Sequence, residues 1–341
     1  MQKRVLLLII FIYAATRCTS QTLGGNAVFN FLTQPNTAQL SALGGVNISS
    51  FGNDVGMAFH NPALLHRQMN RQVNTSFNAF VAGISHFTAT TAFYLPGPDL
   101  NLGAGVQYLN YGSLVQTDAS GNILGSIRPN DYMVQVMVSK KYMERFRIGA
   151  TAKLIRSAYG NYRSTGIAAD IGLTYTDTAA MLQATVLVKN MGTQLKAYAS
   201  GGEKEELPFD IQAGISKKLA NAPVQFSLTA HNLHRLNIQY KDTAFNAAEG
   251  DIRSNGLQKV FAHVVLSSQI YLSEFAELSL GYNFLRRQDL NVFGASSGLN
   301  GFTCGAGVLL RKLHIRYATG FYQQHMFHQF SLNFNFSGTP L

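Results

Sequence analysis

The last stretch of the chain, from Gln329 to Phe336, alternates without a break between polar and apolar residues. In an extended strand this period of two separates an apolar face from a polar face. The apolar face would hold Phe330, Leu332, Phe334 and Phe336. The same alternation recurs back to Val73, and no helical pattern is long enough to cover such a sheet with a second layer. Strands of this kind can instead face lipid on one side and a polar lumen on the other. The sequence therefore predicts an all-β fold, a transmembrane outer-membrane β-barrel.

The composition agrees with a surface that largely avoids water. Charged residues make up 13% of the chain, whereas a soluble protein averages about a quarter. The formal net charge is +10, but the basic residues form neither a run nor a helix face. We therefore expect them in loops and rims near anionic lipid head groups, and we expect no nucleic-acid partner.

The N-terminus has the pattern of a secretory signal peptide. Lys3 and Arg4 precede an apolar run, Val5–Ala15, that is too short to span a bilayer. Cleavage after Ser20 would define residues 1–20 as the signal peptide. Lipidation of Cys18 is the alternative.

Residues 21–71 do not alternate and precede all the predicted strands. Within them, Asn61-Pro62-Ala63 combines an N-cap Asn with a proline at the first helical position. This segment is neither a strand nor a long helix. We predict that it is an N-terminal plug, or hatch, folded into the barrel lumen. A periplasmic extension is the alternative.

Residues 72–341 are predicted to form the barrel, with fourteen strands and with twelve or sixteen as alternatives. The candidates are 73–82, 84–95, 101–111, 131–140, 145–157, 164–176, 181–190, 208–218, 223–232, 260–272, 275–285, 301–310, 312–319 and 326–336. Short connections alternate with mostly long ones, as in bacterial barrels with short periplasmic turns and longer external loops. This pattern predicts that both termini are periplasmic.

The sequence contains no convincing catalytic constellation, so we predict a protein that is not an enzyme and needs no metal or cofactor. Five charged residues are candidates for lumen positions: Asp170, Asp210, Lys153, Lys189 and Arg316. They could form a salt-bridged interior that fixes the plug, or they could line a transport path. Their presence alone does not distinguish these two roles.

Three N-terminal runs carry a family resemblance: residues 24–32, the segment 40–46 that ends in Gly44-Gly45, and residues 53–65. Together they resemble the PorV/PorQ family, and PorQ-type proteins in particular. These are outer-membrane components of the type IX secretion system of Bacteroidota. The Asn61-Pro62-Ala63 step is also similar to the plug of FadL-type fatty-acid transporters.

The resemblance implies a FadL-like barrel of fourteen strands with a non-catalytic role in the cargo attachment complex. Its implied partners are a PorZ-like surface protein, which it would anchor, together with PorU- and PorV-like components. External loops would dock the partner; which loop does so is left open, and the long connections 191–207 and 233–259 are the candidates. A FadL-like channel for hydrophobic compounds is the alternative function.

Overall fold

The computed structural model describes residues 27–199, 201–236, 238, 256–290, 298–323 and 325–336. The predicted signal peptide lies outside the described residues. Fourteen antiparallel strands close a barrel in which sequence neighbours pair and the first strand pairs with the last. The predicted fold class and strand number are confirmed.

Sixteen strands are numbered in chain order, and all except β4 and β5 belong to the barrel. Their bounds are β1 (Gln72–Ala79), β2 (Ser85–Leu95), β3 (Leu100–Asn110), β4 (Leu114–Thr117), β5 (Ile123–Ile127), β6 (Asn130–Tyr142), β7 (Phe146–Tyr159), β8 (Tyr162–Asp177), β9 (Leu182–Lys196), β10 (Asp210–Lys218), β11 (Val224–Ala230), β12 (Val264–Ser273), β13 (Ala276–Asn283), β14 (Phe302–Leu309), β15 (Leu313–Tyr322) and β16 (His325–Asn335).

The two faces of the wall follow the alternation of the sequence. In β6, Val134, Val136 and Val138 are exposed on the outside of the barrel, while Gln135 and Ser139 are buried. In β16, Phe330 is exposed and the polar residues beside it are buried. The outside is thus apolar and the lumen face is polar, as a barrel in lipid requires.

The connections differ at the two ends of the barrel. At the short-turn end, strands are joined by tight links, such as the one from Ser273 to Ala276. At the other, long-connection end, the link between β3 and β6 contains the β4–β5 hairpin. The predicted loop 191–207 begins later than expected, because β9 continues to Lys196.

Two predicted strands are shorter than expected because helices occupy their ends. Helix α3 (Gly256–Ala262) includes the start of the predicted strand 260–272. Helix α4 (Phe284–Asp289) takes the end of the predicted strand 275–285. The Asn283 side chain caps α4 by accepting a hydrogen bond from the backbone N–H of Arg286 at 3.0 Å. This cap turns the chain out of the strand.

The segment before β1 consists of short helical turns joined by irregular chain. Helices α1 (Ala38–Ala42) and α2 (Val55–Ala58) are accompanied by 3-10 turns at Asn30–Thr33, Pro62–Leu64 and Arg67–Met69, and a further 3-10 turn, Val81–Gly83, links β1 to β2. Helices α3 and α4, described above, come later in the chain. None of the helices in the described ranges is long and apolar enough to cross a membrane.

The outward face of β6 generates a first prediction. Val136→Arg places a charge on the apolar outer face at the middle of the strand, and it should destabilise the barrel in lipid by about 2–4 kcal/mol. Tyr142→Arg, on the same face at the strand end, should cost only about 0–1 kcal/mol. Equilibrium unfolding from phospholipid vesicles measures both values. Equal costs would contradict the assignment of this face to lipid.

Candidate functional site: the plug and the pocket at its end

The segment from Ala27 to Arg71 runs through the lumen from one end of the barrel to the other. At the long-connection end, Val28 donates its backbone N–H to the Glu206 carbonyl at 2.8 Å. At the short-turn end, the Arg71 carbonyl accepts from the N–H of Phe336 at 3.0 Å. The first and last described residues therefore lie at opposite ends of the barrel. The true N-terminus is outside the described residues, so the expectation that both termini are periplasmic stays a prediction.

Glycines on the lumen face let this segment, the plug, lie directly against the wall. A Cβ atom on Gly149 would come within 2.3 Å of the Pro62 carbonyl carbon, and one on Gly281 within 2.2 Å of the Gly44 nitrogen. Real Cβ atoms do not approach other atoms so closely. The backbones of plug and wall are thus in contact at positions where only glycine fits.

The predicted plug motif lies at one of these contacts. Asn61 accepts a hydrogen bond from the Ala63 N–H at 3.0 Å and so caps the Pro62–Leu64 turn. Its amide nitrogen donates to the Ile48 carbonyl at 2.8 Å, which ties two parts of the plug together. A Cβ on Gly172 of β8 would meet the Asn61 Oδ1 atom at 2.5 Å. Asn61 therefore holds the plug fold and touches the wall.

Polar side chains of the wall satisfy the backbone of the plug. Gln107 and Gln135 donate to the carbonyls of Phe31 and Phe59, each at 2.9 Å. Thr303 accepts from the Gly44 N–H at 3.1 Å. Irregular backbone buried away from water needs such partners, since each unpaired group is costly. The polar lumen face supplies them.

Arg316 joins the plug to two strands of the wall. Its guanidinium contacts the carboxylates of Asp54 in the plug and Glu277 in β13. Asp54 also accepts from the Gly56 N–H at 2.8 Å and from the Asn74 amide at 2.9 Å. All three charged side chains are buried, so removing one would leave a charge without its partner.

Lys153 and Asp170 meet at a bulge in the wall. Their Nζ and Oδ2 atoms are 2.6 Å apart, and Lys153 also donates to the Asn190 side chain at 2.8 Å. In β9, Lys189 and Asn190 together oppose the single residue Asp170 of β8, and Asn190 has a φ of 56°. Asp170 accepts from the Asn190 N–H at 2.8 Å, which replaces a ladder bond that the bulge removes.

The other two candidate charges have different neighbours. Lys189 contacts the Nδ1 atom of His60 in the plug at 2.8 Å. Asp210 lies opposite Lys189 in the β9–β10 register, and it accepts hydrogen bonds from Gln212 and from the Asn232 N–H. Lys153, Asp170, Lys189 and Asp210 thus occupy one region of the wall, and Arg316 lies in another.

A pocket of about 460 Å³ lies between the plug and the long-connection end. Its walls are rich in tyrosine, and its lining residues are Ala27, Val28, Phe29, Asn30, Tyr111, Asp131, Tyr159, Tyr162, Tyr198 and Glu205. Its volume falls within the range of small-molecule sites. The pocket was not predicted from the sequence. Its tyrosines stand near the ends of strands β3, β7, β8 and β9, so comparing aromatic residues across strand ends could have located it.

Hydroxyl groups surround the buried carboxylate of Asp131 in this pocket. Tyr111 donates to Asp131 at 2.6 Å and Tyr159 at 3.1 Å, and Ser157 contacts the other carboxylate oxygen. Tyr198 donates to Ser157 at 2.6 Å. Burial raises the pKa values of the Tyr111 and Tyr198 phenols, so both remain protonated at neutral pH.

A second cavity, of about 530 Å³, adjoins the bulge in the wall. Its lining is largely apolar and includes Val136, Leu154 and Ile167 from the outer face as well as Ala168 from the lumen face. Phe29 lines the tyrosine pocket and packs against the β8 wall at Gly166, where a Cβ would meet its ring at 2.6 Å. Phe29 also belongs to the same buried hydrophobic cluster as Ala168, which lines the second cavity.

The glycine contacts generate a second prediction. Gly149→Val should destabilise the protein by about 1–3 kcal/mol or more, because the added side chain overlaps the Pro62–Ala63 backbone. It should also make the plug sensitive to added protease. Gly97→Val is the matched control, since a Cβ there meets nothing within 4 Å. Thermal unfolding in detergent and limited proteolysis measure both effects. An unchanged melting temperature for Gly149→Val would contradict the contact.

No family model and no curated protein sequence matches this chain. Solved structures do match in fold. A ΔS2 mutant of the TodX monoaromatic hydrocarbon channel superposes with a TM-score of 0.52 at 13% identity, covering 88% of this chain and 97% of that chain. The CymD monoaromatic hydrocarbon channel gives 0.51 at 12% identity, covering 90% and 97%. A FadL homologue from Pseudomonas aeruginosa gives a TM-score of 0.51 at 9% identity, covering 88% of this chain and 98% of that chain.

At such low identity the likeness concerns the fold alone. The chain has the fold of a FadL-like outer-membrane barrel of fourteen strands, with an N-terminal segment before the barrel.

Proposed function

We propose that this protein is a non-catalytic outer-membrane channel that takes up a small hydrophobic or aromatic compound through the tyrosine pocket. The pocket itself is the main support: it is large enough for such a compound, is lined by aromatic rings, and lies at one end of the plug. Two similar folds are those of monoaromatic hydrocarbon channels, which also supports the proposal. In this proposal the long-connection end faces outward and Phe336 faces the periplasm.

The proposed route leaves the lumen laterally, through the barrel wall. The axis below the pocket is filled by the plug, which is held by the Arg316 ion pairs and by wall glycines. The apolar cavity at the β8–β9 bulge offers a different exit, because it includes residues of the outer face. A compound that displaces the Phe29 side chain would reach this cavity while the rest of the plug stays in place.

Uptake measurements test both the function and the route. Deleting the gene should slow the uptake of a monoaromatic hydrocarbon such as toluene severalfold, and the wild-type gene should restore it. A Ser49→Cys, Ser216→Cys variant, whose parent hydroxyls are 2.9 Å apart, ties the plug to β10 when oxidised. Uptake should be equal in its oxidised and reduced forms, because the proposed route does not move the plug.

Two results would contradict these expectations. Unchanged uptake of both toluene and phenyltrimethylammonium in the deletion strain would refute the channel function. Uptake that is lost only when the disulfide is formed would refute the lateral route and would show that the plug must move.

A second function, docking of a surface protein, is favoured by the β4–β5 hairpin. Val115, Ile123 and Leu124 of this hairpin are 65%, 75% and 62% exposed. Exposed apolar side chains at the long-connection end suit contact with another protein. With the family resemblance, this supports a second proposal: the barrel anchors a PorZ-like partner in the type IX attachment complex, together with PorU- and PorV-like components.

Replacing residues 114–127 with a short Gly-Ser turn tests docking. The hairpin pairs with no barrel strand, so the barrel should stay in the membrane while the surface partner is released into the medium. A Val115→Ser, Ile123→Ser, Leu124→Ser variant keeps the hairpin backbone and should give the same release. A Glu203→Ser, Lys204→Ser variant, in the exposed part of the β9–β10 link, is the matched control. Full retention of surface proteins in every variant would rule out docking through this hairpin.

A further inference from the structure

Asp131 is a buried carboxylate whose contacts are hydroxyl groups. Only 2% of the residue is exposed, and no ion pair involves it within the described ranges. Aspartate is almost never fully buried without a cationic partner. The other buried lumen carboxylates of Asp54, Asp170 and Glu277 all have one, in Arg316 or Lys153. Asp131 therefore differs from them in a way that suggests a cation supplied from outside the chain.

The lining of the tyrosine pocket is also acidic. It contains the carboxylates of Asp131 and Glu205 but no lysine or arginine. The chain as a whole has 27 Lys and Arg against 17 Asp and Glu, so this local excess of negative charge runs opposite to the overall composition. An anionic ligand such as a carboxylate would be repelled here, while a cation would be attracted.

The tyrosine rings form a connected group beside this carboxylate. Ring centroids are 5.6 Å apart for Tyr111 and Tyr159 and 5.5 Å apart for Tyr159 and Tyr198. The face of an aromatic ring attracts a cation, and several rings around one cavity are a recurring way to bind a quaternary ammonium group. Tyr162 adds a fourth ring to the lining.

We propose that the tyrosine pocket selects an organic cation, a compound that carries an ammonium group next to an aromatic or apolar body. The ammonium lies against the tyrosine rings near Asp131, and the apolar body contacts Val28 and Phe29. This inference rests on the proposed function, because it names the charge class of the compound that the channel takes up. It predicts that neutral and anionic aromatic compounds of similar size bind more weakly.

Binding to the intact protein in a neutral maltoside detergent tests this inference, separately from uptake. Since the chain has no Trp, quenching of tyrosine fluorescence can report binding. Phenyltrimethylammonium should bind at least roughly tenfold more tightly than benzyl alcohol or benzoate. Isothermal titration provides a second measurement. Equal affinity for the three probes, or no binding of the cation, would overturn the proposal whatever the uptake experiments show.

Variants locate the site. Asp131→Asn keeps the shape of the side chain but removes its charge, so it should weaken binding of phenyltrimethylammonium by roughly tenfold or more. It should leave binding of benzyl alcohol nearly unchanged. Asp99→Asn, an exposed change at the short-turn end, is the matched control. Tyr162→Leu should weaken cation binding severalfold. Tyr162 makes none of the hydrogen bonds to Asp131, so this variant can replace Asp131→Asn as the test if Asp131→Asn fails to fold. Unchanged cation affinity in folded Asp131→Asn, or in Tyr162→Leu should that variant be needed, would overturn the assignment to this pocket.

Discussion

The direct contact between the plug backbone and the lumen glycines is the constraint on which the rest of the structure depends. At Gly149, Gly172 and Gly281 the wall has no side chain, and the plug occupies the space that a Cβ would need. Because the plug lies so close, the glutamines and threonines of the neighbouring positions can reach its backbone groups. A lumen with larger side chains at these positions would hold the plug too far away for those bonds.

The buried charges also reflect how closely the plug lies against the wall. Asp54 caps a helical turn of the plug and pairs with Arg316 of the wall, so one carboxylate supports both local structure and attachment. Lys153 and Asp170 serve the wall itself, where they stabilise a bulge. Asp131 is the exception among the described buried carboxylates, since hydroxyls alone contact it. This difference supports the proposed role of Asp131 in binding a ligand.

The parts of this structure that could be predicted are those with a periodic pattern. Alternation in segments such as 330–336 identifies the strands and their faces, because lipid on one side and polar groups on the other repeat at every second residue. Helix α4 breaks that pattern through one local cap at Asn283. The β9 bulge depends on a carboxylate in the neighbouring strand. The five charged residues were proposed as lumen positions from their places in the strands, but their partners depend on the three-dimensional arrangement.

The pocket was not predicted from the sequence, for a related reason. Its residues Tyr111, Asp131, Tyr159 and Tyr198 come from distant parts of the sequence and meet only when the strands are in register. No short motif joins them. The resemblance of the N-terminal runs predicted a FadL-like fold, which the structure has, but it carried no information about these side chains.

The path of the plug has a consequence for the order of folding. The plug crosses the whole lumen, and its backbone fits between glycines on several sides of the wall. A segment containing helical turns could not be threaded through a finished ring with so little clearance. The β1–β16 seam, where eight residue pairs join the two ends of the sheet, must therefore close around a plug that is already in place. The N-terminal segment then acts as a template for the ring, and the pairing of β16 with β1 completes it.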